Sequence, residues 1–180
     1  MNPVACFAAA YAIMDFASWC QRMRWREVYF AKARRASQER GKPMLVVGCP
    51  DGWTTKESAS WQRHGCGDFT LDIVPCNCPR PIRADVTRLE ALPDRVFGAT
   101  FISCVLEHVD DLPAAWDHLH RVTDGPVYVV HPQWYSPFAW RLDDHNWMIR
   151  KAKGGELQAY RIRGAHSNSS SNAVNSAAAR

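Results

Sequence analysis

The chain has 180 residues, 47% of them hydrophobic and 22% charged, with a formal net charge of +4 at pH 7. That is the balance of a soluble globular protein, long enough for one domain with a sizeable core and too short for two ordinary ones. Seven cysteines, an odd number without a regular framework, fit a reducing cytosol better than a secreted disulfide scaffold, and eight tryptophans require deep burial or an interface.

The first twenty residues are apolar, from Val4 to Met14 and again at Phe16 and Trp19. Met1-Asn2-Pro3 lacks the basic start of a secretory signal. The run sits at the short limit for a membrane span, and Asp15 interrupts it. The leading reading is a helix buried or packed on a protein partner; an interfacial anchor and a true span are the alternatives. Between Cys20 and Lys42 stand eight Lys/Arg against Glu27 and Glu39, a local +6 that leaves the rest slightly acidic. Such a run suits an anionic partner, membrane surface or nucleic acid, or is a solvated helix face. Trp25, Val28, Tyr29, Ala33 and Ala36 recur at helical spacing, with Arg24, Arg26, Arg34 and Arg35 off the stripe. This second helix is expected to stop at Gly41, with Pro43 beyond.

From Met44 the pattern changes. Met44–Val47 reads as a short buried strand, Thr54–Arg63 as a helix and Phe69–Val74 as a second strand closed by Pro75. Asp85-Val86 is a short extended piece, and Ala99–Ser103 a third clear strand. Leu112, Ala115, Trp116, Leu119 and Val122 mark one face of a helix, with Asp110 or Asp111 as N-cap and Pro113 in its first turn. Gly125-Pro126 ends that helix, and Val127–Val130 is another strand. This alternation predicts an α/β fold: a mostly parallel sheet with helices on both faces. The organisation expected is a helical segment over 1–42, the α/β domain over 43–164 and a flexible Ser/Asn/Ala-rich tail over 165–180.

Two places carry the chemistry. Gly48-Cys49-Pro50-Asp51-Gly52 leaves the first strand, where glycines let the backbone turn sharply and approach a ligand. The helix expected after it would point its free N–H groups at the same place. Asp72, ending the next strand, is placed to accept both hydroxyls of a ribose lying across the strand ends.

Taken with Asp85-Val86-Thr87-Arg88-Leu89, Leu106-Glu107-His108-Val109 and Leu119-His120-Arg121-Val122, these segments resemble the class I S-adenosylmethionine-dependent methyltransferases with a Leu-Glu-His-Val signature. The resemblance covers about residues 43 to 132. It implies a Rossmann-like, doubly wound sheet, truncated at its C-terminal strands because the chain beyond His131 is short and irregular. It implies S-adenosylmethionine as cofactor. Gly48, Cys49, Asp51 and Gly52 would shape the loop around its methionine part, Asp72 with Ile73 would hold the ribose side, Asp85 and Val86 would flank the adenine, and Cys104 would line the floor near the sulfonium. Two positions depart from the family pattern: Val46 replaces an acidic residue that helps hold the methionine ammonium, and Pro50 replaces a glycine.

Methyl transfer needs an acceptor positioned in line with the sulfonium, and a base when that acceptor must lose a proton. His108 and His131, each just beyond a strand at the ligand edge, are the candidates; a structural role is the alternative for each. A competing set, His64-x-Cys66 with Cys76-x-Cys78, has metal-capable side chains, but its spacing is a poor zinc pattern and a buried strand between Cys66 and Cys76 would hold them apart. No metal is therefore expected. His131-Pro132-Gln133-Trp134-Tyr135, with Pro137, Phe138, Trp140 and Trp147, reads as an aromatic lid or packing surface; stacking of nucleobases with Arg141 and Arg150 is the lesser alternative. The expected function is methyl transfer to a small-molecule or glycan/lipid acceptor. The alternative is an inactive methyltransferase-fold subunit with a structural or interaction role. The expected location is cytoplasmic, with peripheral membrane contact through the N-terminal helix as the alternative to a helix buried or packed on a protein partner.

Overall fold

A computed structural model describes residues 2–50, 64–136, 139, 144–151 and 157–162. The expected helix Thr54–Arg63, Pro137, Phe138, Trp140, Arg141 and the 165–180 tail lie outside these. The chain begins with a single helix, α1 (Pro3–Glu39), where the sequence suggested two. Nothing between the apolar and basic halves breaks it: the Asn2 side chain accepts from Val4 N at 3.0 Å as N-cap and Pro3 fills the first turn. At the other end Arg40 caps it, and Gly41 takes φ +62°, the left-handed conformation that closes helices.

Five short strands follow: β1 (Met44–Val47), β2 (Phe69–Asp72), β3 (Pro81–Arg83), β4 (Ala99–Ser103) and β5 (Val127–Val130). They form one parallel sheet in the order β3-β2-β1-β4-β5. Helix α2 (Leu112–Val122) crosses from β4 to β5, with Asp111 as its N-cap. The period of two explains the layers. Met44 and Val46 of β1 and Ala99 and Phe101 of β4 pack with Ala33 and Ala36 of α1. Leu45, Val47 and Ile102 turn the other way, onto Leu112, Ala115, Leu119 and Val122 of α2. The sheet is thus doubly wound and Rossmann-like, with its strands turning about β1 and β4.

Three details differ from the sequence reading. The third strand is Pro81–Arg83, ahead of Asp85-Val86. Pro81 is tolerated because it starts an edge strand, and Asp85 is drawn into a turn in which its Oδ1 accepts from Thr87 N at 2.8 Å. The second strand ends at Asp72, not Val74, since Asp72 bonds forward to the backbone of Val74. Beyond β5 the chain adds an antiparallel hairpin, β6 (Trp147–Lys151) and β7 (Leu157–Arg161), in a sheet of its own. Trp147, Ile149 and Ala159 bury it against the α2 side of the core.

The buried reading of the N-terminal run is overturned within this chain. Val4, Phe7, Ile13 and Phe16 are 72%, 74%, 67% and 65% exposed. Among the described residues, α1 bonds to the C-terminal part of the chain at Asp15, which accepts from Ser136 Oγ at 3.0 Å, and at Gln21, which accepts from Tyr135 OH at 2.7 Å.

Candidate active site

The C-terminal ends of the parallel strands define the edge where the expected site residues gather. Gly48 directly follows β1, with φ +96°. A Cβ there would stand 2.8 Å from Val105 Cγ2 and 3.3 Å from Ser103 O, so β1 and β4 meet closely only because this residue is glycine. Next to it, Cys49 N donates to Asp72 Oδ2 at 2.6 Å, and Val74 N donates to Asp72 Oδ1 at 3.1 Å. Both carboxylate oxygens are therefore aimed by backbone, and each keeps a further lone pair. That is what two adjacent ribose hydroxyls need, and Ile73, 58% exposed, offers an apolar surface beside them. These residues fit a nucleoside.

The remaining cofactor candidates are placed less evenly. Asp85 is exposed and engaged in its turn, whereas the Val86 side chain is buried in the core. Val46, also buried, faces α1 rather than the ligand edge. Asp51 and Gly52 lie outside the described residues. Cys104 follows β4 in a left-handed conformation, φ +54°, with Sγ 3.2 Å from the Arg26 guanidinium; burial pushes its thiol pKa up.

Around Cys104 stands a polar cluster that the sequence reading only partly anticipated. Glu107 is 2% exposed, and neither carboxylate oxygen has a hydrogen-bond partner among the described residues. Ligand-capable atoms of Glu107, His108 and His145 lie within 4.8 Å of one another. His145 is fully buried with Nδ1 2.9 Å from Ala139 O, and His108 Nδ1 is 3.1 Å from Asp144 O. When each Nδ1–H is given to a carbonyl, Nε2 keeps the lone pair. The three can hold a divalent cation or work as a carboxylate–imidazole base. His131 stands nearby with Nδ1 2.8 Å from Pro132 O; burial lowers its pKa, opposed by that carbonyl and by Glu107. It is neutral at pH 7.

His145, Arg22 and Arg26 were missed. Arg26, expected off the packed stripe of α1, reaches the sheet edge and donates from Nε to Ser103 Oγ at 2.7 Å. Arg22, one turn earlier, is 6% exposed. The available signal was their four-residue spacing in register with Tyr29 and Ala33, which puts them on the sheet-facing stripe. The Leu-Glu-His-Val segment also has a packing role. Leu106 is fully buried, Glu107 O accepts from Asn146 N at 2.7 Å, and Val109 O accepts from Trp147 Nε1 at 2.8 Å, which ties β6 to the site. Arg121 likewise secures α2, donating to Leu89 O and Leu92 O at 2.6 and 2.8 Å. Trp134 and Tyr135 are exposed beyond β5, and Tyr135 OH donates to Gln21 Oε1 at 2.7 Å.

The cysteines need two corrections. Four of the seven are paired, Cys49 with Cys76 and Cys66 with Cys78. The expected separation of Cys66 from the Cys76-x-Cys78 pair also fails: Cys66 and Cys78 have Cα atoms 5.7 Å apart. Strand β2 is only four residues long, and β3 starts beside its beginning (Thr70 opposite Pro81), so the connection has to double back past Cys66.

A family model described as a methyltransferase domain matches residues 45–129. No curated protein matches the chain. Among solved structures, the 1,6-didemethyltoxoflavin N1-methyltransferase of Burkholderia thailandensis, with 1,6-didemethyltoxoflavin and S-adenosylhomocysteine bound, is 15% identical. That likeness covers 89% of this chain and 70% of that one at a TM-score of 0.35. An S-adenosylmethionine-dependent methyltransferase from Mesorhizobium loti is 18% identical over 67% of this chain and 57% of its own, at a TM-score of 0.36. Both likenesses are too distant to transfer an acceptor. Residues 45–129 are thus similar to a methyltransferase domain, and they span the parallel sheet in the order β3-β2-β1-β4-β5.

Proposed function

We propose that the chain transfers a methyl group from S-adenosylmethionine to a small-molecule acceptor carrying an N–H or O–H that must lose its proton. The observation that carries this reading is Asp72, held by two backbone N–H groups at the end of β2 with its free lone pairs on the ligand edge. S-adenosylmethionine is the cofactor and supplies the electrophilic methyl on a sulfonium. The chain's own part is positioning and proton removal. Asp72 grips the ribose, Ile73 covers the adenine side, and Gly48 brings β1 and β4 close. Glu107, with His145 and His108, takes the acceptor's proton; a buried carboxylate lacking a hydrogen-bond partner is a strong acceptor for one.

A lipid-borne acceptor is the second reading, favoured by the exposed apolar start of α1. Asp15 already bonds to Ser136, so among the described residues the part of α1 ahead of that bond is residues 3–14, roughly 18 Å of helix. A bilayer core is about 30 Å thick. This supports shallow, peripheral insertion rather than a span.

Calorimetric titration with S-adenosylhomocysteine, repeated on Asp72→Ala, tests the site. Wild type is expected to bind at micromolar concentration and the variant at least about a hundredfold more weakly, since two charge-assisted hydrogen bonds of roughly 1.5–3 kcal/mol each are lost. No binding by folded wild type at high micromolar ligand would leave an inactive scaffold. Binding that survives Asp72→Ala would remove Asp72 from the site.

A further inference from the structure

Three cysteine sulfurs converge beside the glycine turn, and a fourth, that of Cys66, is bonded to one of them. Cys49 directly follows Gly48, Cys66 precedes β2, and Cys76 and Cys78 lie between β2 and β3. Besides the two bonded pairs, the sulfurs of Cys49, Cys76 and Cys78 all lie within 4.8 Å of one another. The two pairs are therefore one cluster. Disulfides that staple loops need two separate pairs, and nothing in their chemistry requires one pair to sit against the other. A tetrahedral metal centre requires that: with Zn–S bonds of about 2.3 Å, its sulfurs stand roughly 3.8 Å apart.

The surroundings suit such a centre. Cys49 and Cys78 are each 6% exposed, and Cys66 and Cys76 are half-buried. The approach to β2 is fixed in place. Met44 N donates to Asp68 Oδ2 at 2.7 Å, and a Cβ on Gly67 would stand 2.5 Å from Phe69 O and 2.8 Å from Met44 O. Arg34 donates to Cys66 O at 3.3 Å, bringing positive charge to a site where zinc and four thiolates sum to a double negative charge.

We propose that, once its thiols are reduced, Cys49, Cys66, Cys76 and Cys78 bind one zinc ion as a tetrathiolate centre that pins the glycine turn to the β2–β3 connection. Two dithiol molecules open the two S–S bonds, each giving two electrons and two protons, which leaves four thiols. Zinc then replaces the four thiol protons, which pass to solvent. Because Cys49 N donates to Asp72, the centre would also hold the ribose-binding carboxylate in position.

The test uses the full chain, reduced with excess dithiol without oxygen and titrated with zinc against a chromogenic chelator; cobalt replaces zinc for spectroscopy. One zinc per chain is expected, with the intense visible bands of tetrahedral cobalt thiolate. Cys66→Ser and Cys78→Ser should each weaken zinc binding at least tenfold, and Cys20→Ser should leave it unchanged. A chain that takes up no zinc overturns the proposal. So does zinc retained by both serine variants, which would move the metal to Glu107, His108 and His145, or iron with labile sulfide in the cluster. Alkylation of wild type does not depend on whether the variants fold. Zinc should protect Cys49, Cys66, Cys76 and Cys78 while exposed Cys6 and Cys20 react; equal labelling with and without zinc overturns the proposal.

Discussion

Replacing Gly48 by alanine strains the site in two separable ways. Its φ of +96° is a conformation that L residues rarely adopt, at a cost of about 1–2 kcal/mol. The new Cβ would also meet Val105 Cγ2 at 2.8 Å and Ser103 O at 3.3 Å. One neighbour is a stiff β-branched side chain and the other is backbone of β4, so relief requires β1 and β4 to part, roughly 1–3 kcal/mol by analogy with overpacked cores. Gly41→Ala supplies the control. Gly41 has φ +62°, and among the described residues nothing lies within 4 Å of where a Cβ would stand, so that substitution carries the conformational cost alone. At about 2–4 °C per kcal/mol for a chain of this size, Gly48→Ala should lower Tm by roughly 2–12 °C more than Gly41→Ala does. Differential scanning calorimetry measures this, and titration with S-adenosylhomocysteine should show weakened binding for Gly48→Ala only. Equal Tm losses for the two variants would refute the close approach of β1 and β4 as the reason for glycine at 48.

Glu107→Gln should lower kcat by about a hundredfold or more while leaving the affinity for S-adenosylhomocysteine within a few-fold, as expected for loss of a base; a matching loss of affinity would instead assign Glu107 to the cofactor. His131 is held below its ordinary pKa of 6.5 by burial, so the unfolded chain binds its proton at a higher pH than the folded one. Stability should therefore fall as pH drops below about 6.5, and urea unfolding of His131→Asn at pH 7.5 and 5.5 should show a smaller drop than wild type. His64, lowered to about 4 by burial, acts in the same sense, so the variant's profile flattens without becoming level; an unchanged profile would count against a buried neutral His131. Deleting residues 3–14 should abolish flotation with anionic vesicles and leave S-adenosylhomocysteine binding intact. Undiminished flotation would move the membrane contact to the basic part of α1.

The sequence by itself determined most of the strands and the strand ends that carry Gly48 and Asp72. Four short apolar runs with glycine, aspartate or proline at their ends can hardly be anything but buried strands, because their alternating residues must be covered on both faces. Asp72, Gly48 and the segment after β4 were legible because they depend on position along the chain, at the end of a strand. The tertiary structure alone decided what depends on distant segments meeting. The helical spacing of Arg22 and Arg26 gives the face of α1 they share with Tyr29 and Ala33, but they enter the site because α1 lies across β4 and β5. His145 joins Glu107 because the start of β6 is clasped by the backbone of residues 107–109, 37 or 38 positions away for the Asn146 and Trp147 side chains that bond Val109. The cysteines were misjudged for the same reason. Spacing along a strand measures separation only while the chain runs straight, and the turn after a four-residue β2 brings Cys76 and Cys78 back against Cys49 and Cys66.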